Sequence, residues 1–159
     1  MKIFNGRGLV LFVVLALTIV GVRFAYSCTQ GCTPGFWKNN TALWVGYSVE
    51  QTLGQVFDPA HLWWPASLDF LYDDTLLMAL QYPGGPELEG AARIFLRHAV
   101  AALLNAAHPD VNGLTVKQVK NMVKATLLSE DRDVCIFKAG TLQYYNELGC
   151  PLRALRRIS

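Results

Sequence analysis

Beyond residue 27 the reactive side chains of this 159-residue sequence are three histidines, four serines, twelve carboxylates and four cysteines. Ser48, Ser67, Ser129 and Ser159 lack the glycine flanks of a nucleophile elbow. His61, His98 and His108 form no His-x-x-x-His or His-Glu-x-x-His pair, so no helix-borne zinc site is expected. His98 falls inside a long apolar stretch and reads as a hydrogen-bonded core histidine. His108 stands where that stretch ends, in a position to bind a terminal helix carbonyl. Asp69, Asp73 and Asp74 lack the alternating oxygens and turn glycine of a calcium loop and read as helix caps. Glu87 and Glu89, two apart on a helix, point in different directions and make no acid–base pair. A hydrolase would have to be built from His61 or His98 with Asp58 or Asp69. The residue pattern thus predicts no catalytic residues, no metal and no cofactor.

The cysteines point to a compartment instead. Lys2 and Arg7 precede the uncharged apolar run Leu9 to Val22, and Ala25-Tyr26-Ser27 puts small residues where a signal peptidase reads. This order predicts an export signal over residues 1–27, cleaved before Cys28. Two rivals are a lipidated Cys28, which would strand an odd thiol, and a leader cut after Gly8 that leaves the apolar helix to pack in a filament. A membrane is met only through this segment, if it stays uncleaved. In an exported chain four cysteines mean disulfides first, and no zinc-ribbon spacing appears among Cys28, Cys32, Cys135 and Cys150. Three pairings are open. Cys28–Cys32 closes a very small loop, whereas the two long-range schemes restrain far more of the unfolded chain.

Charge narrows the partners. Residues 28–152 carry 8 basic against 12 acidic side chains, so the basic face of a nucleic-acid binder is missing. Arg153, Arg156 and Arg157 make residues 153–159 a basic tail, expected to be disordered. Trp37, Trp44, Trp63 and Trp64 crowd into one short region with Phe36, Tyr47 and Phe57. Such loops bury tryptophan against helices, or they expose it to a sugar, a surface or another subunit. Trp37, Trp63 and Trp64 are the candidate binding residues, and the adjacent pair Trp63-Trp64 is the best surface candidate. Asn39-Asn40-Thr41 is a glycosylation sequon.

The elements that must position these residues are helical. Residues 28–47 read as loop. Ser48 with Gln51 predicts a capped helix from Val49 to Phe57, ended by Asp58-Pro59. Asp73 or Asp74 should cap a helix to about Tyr82, before the break Pro83-Gly84-Gly85-Pro86. From Pro86 a long helix to Ala107 is apolar nearly all round and should be central and buried. Thr115 with Gln118 predicts a boxed amphipathic helix from Val116 to Ser129. A last helix from Arg132 to Leu148 should bend at Gly140 and be capped by Gly149. The expectation is one all-α domain over residues 28–152, with an aromatic-rich N-terminal loop region.

The run Gly31-Cys32-Thr33-Pro34-Gly35-Phe36-Trp37-Lys38-Asn39-Asn40 resembles the opening of a poorly characterised domain of secreted microbial proteins, read as Cys-Thr-x-Gly-(Phe/Tyr)-Trp-Lys-Asn-His. Arg97 to Ala106 resembles that domain's central helix, and Gly149-Cys150-Pro151-Leu152 its closing segment. The resemblance covers residues 31–152. It implies a surface or extracellular location and no known catalytic residues. Asn40 stands where the family has histidine, which speaks against a metal there. It also implies Cys32–Cys150 as one bridge, leaving Cys28–Cys135 as the second. The function expected is structural or adhesive, with a cell-surface polymer or other subunits as partner. Its rivals are a glycan- or surface-binding module, a filament subunit and a hydrolase of unrecognised site.

Overall fold

The computed structural model describes residues 29–155; the expected export signal, Cys28 and residues 156–159 lie outside them. Among the described residues the fold is all-α, with no strand and two isolated bridges. The helices are α1 (Pro34–Lys38), α2 (Leu53–Phe57), α3 (Leu76–Ala79), α4 (Leu88–Ala107), α5 (Val116–Leu128), α6 (Arg132–Asn146) and α7 (Leu152–Leu155). A single-turn 3-10 segment covers Thr41–Leu43, and a two-turn one covers Ala66–Leu71.

Helix α4 is the centre, as its composition requires. Phe95, Leu96, Leu103 and the alanines from Ala91 to Ala102 are buried on every side. It packs most extensively on α6 and then on α5. Arg132 at the start of α6 donates to the Pro86 carbonyl just before α4, while Asn146 at its end reaches His98 and Asn105. Helices α4 and α6 therefore run parallel, with α5 returning between them. The expected capping box Thr115/Gln118 forms at the start of α5. Helix α6 is continuous through Gly140, which faces open space, so the expected bend is absent. One glycine inside a long packed helix costs only about 1 kcal/mol relative to alanine, too little to break it. Gly149 lies beyond the C-cap, Glu147, at φ +103°, and turns the chain toward α7. The backbone of the expected tail is helical as far as Leu155.

The N-terminal half departs further from the sequence expectation. Residues expected as loop contain α1, capped by the Thr33 side chain with Pro34 opening its first turn. Ser48 and Gln51 do make a local turn, but α2 begins at Thr52, whose box with Gln55 is complete. Thr75, not Asp73 or Asp74, caps α3, and α3 is only four residues long. These two threonine caps pair with each other in a bridge, fixed by the hydrogen bonds Leu53 N–H to Asp74 C=O and Leu76 N–H to Gln51 C=O. Backbone pairing between two helix starts settles which of the two tandem boxes nucleates. Gly54 allows it, since a Cβ there would lie 2.3 Å from the Tyr72 ring.

Cys32 and Cys150 are bridged, with Cα atoms 4.5 Å apart. The bridge joins the start of α1 to the turn after α6. Cys135 is a buried thiol in the first turn of α6. Burial, with help from Asp131, pushes its pKa up to about 11. Its expected partner, Cys28, lies outside the described residues.

Candidate functional site under the motif helix

The motif around α1 is held by one amide. Asn105, on the last turns of α4, accepts from the Cys32 N–H at 2.8 Å and the Trp37 indole N–H at 2.9 Å. Its own amide donates to the Cys32 carbonyl and to Asn146 Oδ1. Asn146 passes the connection on to the His98 carbonyl at 3.0 Å. Both lone-pair sites and both hydrogens of Asn105 are used, which a buried amide requires. Gly31 must be glycine, because a Cβ would sit 2.0 Å from the Tyr145 carbonyl. The Trp37 carbonyl in turn accepts from the Trp44 indole. Asn40 is buried and donates to the Phe36 carbonyl.

The candidate aromatic surface does not form. Trp37 is 0% exposed, closed in by Asn105, Phe36 and His108. Trp64 is buried, donates to the Leu68 carbonyl and meets Tyr72 edge-on. Trp63 is half-buried, with the Lys124 ammonium over its ring at 5.6 Å. The neighbouring Asp58 explains this inward turn. It is buried, and its carboxylate accepts from the N–H groups of Leu62, Trp63 and Trp64. Burial alone would raise its pKa, but these three donors outweigh it and hold the carboxyl below the usual range. Asp58 is thus committed to the loop and is no acid–base partner. The large apolar side chains left outside include Leu62, Phe70, Phe137 and Tyr144.

The histidines have separate fates. His61, at φ +49°, places Nε2 3.0 Å from Asp69 Oδ1 and stacks on Tyr72. The pair is solvent-exposed. The nearby Ser67 hydroxyl donates instead to Glu130. No nucleophile joins the pair among the described hydrogen bonds. The His108 ring accepts the Asp110 N–H on Nδ1, and it is the His108 backbone N–H that binds the terminal carbonyls of Leu104 and Asn105. Among the described residues no group of three or more His, Cys, Asp or Glu could hold a metal ion. None of their helices is long and apolar enough to cross a membrane.

His98 is the exception. It is 6% exposed, and its Nδ1 is buried with no hydrogen-bond partner, contrary to the expected bonded core histidine. It lines a cleft of about 370 Å³ beneath α1, together with Pro34, Gly35, Lys38, Leu80, Gln81, Arg97, Gln143 and Glu147. That volume is within the range of small-ligand sites, about 300–1,000 Å³. Helices α1, α4 and α6 build it, with the end of α3. Arg97 Nη1 is tied to the Tyr82 carbonyl, and Gln143 donates to one Glu147 oxygen. No hydrogen bond or ion pair from a described residue engages the Lys38 side chain. No single stretch of sequence reveals this cleft, because its walls come from four separate segments.

Burial, reinforced by the Arg97 charge and opposed by Glu147, lowers the His98 pKa to about 4. The ring is therefore neutral at pH 7. Between the ordinary histidine value and pH 4 the unfolded chain takes up a proton that the native state refuses. Stability should thus fall as pH drops across that window, by about 3 kcal/mol. Urea titrations at pH 7 and 4.5 on the native chain and on His98→Gln check this: the variant should lose most of the pH dependence, and an equal slope in both would remove His98 as its source.

Comparison with protein-family models, with curated proteins and with solved structures finds no match to this chain.

Proposed function

We propose that this chain is an exported adhesive module of the cell surface, without catalysis of its own, and that it meets its partner through the cleft beneath α1. The observation that carries the reading is the cleft itself: a polar recess walled by the same motif helix that Cys32 and Asn105 fasten to the core. A recess with a neutral imidazole and an unengaged lysine ammonium suits binding, and no aligned nucleophile and base accompany it among the described residues. The long-range bridge supports an oxidising compartment, where disulfides persist. The apolar leader over residues 9–22 supports export.

Fractionation of producing cells, with sequencing of the mature N-terminus, tests the location. The expected result is oxidised protein in the medium or on the surface, beginning at Cys28. Cytosolic protein with residues 1–27 intact would overturn it, and a start at Leu9 would favour a filament subunit instead. Adhesion is tested by retention of beads carrying the mature domain on those cells. Retention no higher than that of bare beads would overturn the adhesive role.

A further inference from the structure

We infer that the cleft beneath α1 binds a carboxylated sugar ring, a hexuronate unit of an acidic surface polysaccharide; this deepens the adhesive reading and rests on it. Three observations converge on that chemistry. The first is His98, 94% buried, which lines the cleft and whose Nδ1 finds no protein partner. A buried unpaired polar group costs about 1–3 kcal/mol. A fold that satisfies Asn105 completely leaves this nitrogen unpaired, on a residue of the recess wall.

The second is the charge arrangement. Lys38 is unengaged, and Arg97 spends only Nη1 on the Tyr82 carbonyl. Glu147 is the one carboxylate among the lining residues, and Gln143 already occupies one of its oxygens. Two cations against one half-used carboxylate call for a ligand with a single negative charge. The planar guanidinium suits a carboxylate. A phosphate monoester, with a charge of about −1.5 to −2 at pH 7, would exceed the single charge that Lys38 and Arg97 leave unbalanced.

The third is the rest of the lining. Gln81, Gln143, the free Glu147 oxygen and the His98 ring are donors and acceptors of the kind that sugar hydroxyls pair with. Pro34 and Leu80 supply a small apolar wall for the C–H face of a pyranose. The cleft has no aromatic platform, so recognition is by charge and hydrogen bonds. Neutral hexoses should therefore bind poorly.

The test is titration of the oxidised mature domain by isothermal calorimetry and amide NMR, with D-galacturonate and D-glucuronate as probes. D-galactose is the neutral control and acetate the carboxylate-only control. Saturable binding of at least one uronate is expected, about tenfold or more tighter than galactose, as a charge-assisted pair implies, and tighter than acetate, which lacks the ring hydroxyls. Lys38→Ala, an exposed site whose loss leaves the core intact, should weaken it about tenfold, with shifted amides confined to α1, α4 and α6. No saturable uronate response from folded protein, or an unchanged response from Lys38→Ala, would overturn the inference. Bead retention separates this from the parent reading. Retention that ignores Lys38→Ala and free uronate sinks the uronate site and leaves adhesion standing. Uronate binding without retention on cells sinks adhesion and leaves the site standing.

Discussion

Replacing Asn105 with alanine is expected to bring the domain close to unfolding at room temperature. The change removes four hydrogen bonds at once: those from the Cys32 N–H and the Trp37 indole, and those to the Cys32 carbonyl and Asn146 Oδ1. All four stranded groups are buried, and each costs about 1–3 kcal/mol when left unpaired. Partial relaxation makes the costs less than additive. A loss of about 5 kcal/mol remains, against a whole-domain stability of about 5–15 kcal/mol. Urea denaturation followed by tryptophan fluorescence measures it directly, since Trp37 is one of the reporters. Asn105→Asp keeps the acceptor and should fall between the native chain and the alanine variant. Trp37→Phe strips a single donor and should cost only about 1–2 kcal/mol by hydrogen bonding. A loss below about 2 kcal/mol for Asn105→Ala would show that the motif is held by something else.

Removing the Cys32–Cys150 bridge should cost as much. The two residues are 118 apart in sequence, so the bridge forbids a very large set of open conformations. In the loop-entropy account this amounts to about 5 kcal/mol at 25 °C. The double variant Cys32→Ala, Cys150→Ala should therefore melt far below the native chain, and reduction of the native protein should have a similar effect. Calorimetry in the presence and absence of reductant gives both numbers. Non-reducing peptide mapping should return a Cys32–Cys150 peptide. A melting temperature unchanged by the double substitution would mean that the helix packing alone closes the domain.

What could be read in the residues follows from how local each signal is. Helix α4 was legible because a twenty-residue stretch in which eleven are alanine or leucine, bounded by Pro86 and by His108-Pro109, allows little else. Helix α5 was legible because its box and its lysine face both lie within it. The start of α2 was not. Ser48-x-x-Gln51 and Thr52-x-x-Gln55 are tandem boxes, and the choice between them is made by a pairing with Thr75, more than twenty positions away. Tryptophan 37 was marked as a binding residue because bulk and aromaticity say nothing of direction; its partner Asn105 looked like an ordinary polar residue near a helix end. The cleft was the least legible of all. Its charges fall at Lys38, Arg97 and Glu147, and only the packing of α6 parallel to α4 makes them neighbours.

The bridge also decides how the domain behaves under tension. Cys32 and Cys150 lie side by side, so a pull applied to the chain before the one and after the other passes straight across the sulfur–sulfur bond. Most of the folded body hangs from this link as an unloaded loop, helices α1 to α6 included. A pull between the two ends of the chain would therefore be carried covalently, and the recess beneath α1 would keep its shape at forces that unzip ordinary helical domains. Once the bond is reduced, the load path shifts to the Gly31–Gly149 pairing and the Asn105 amide, which yield at hydrogen-bond strength.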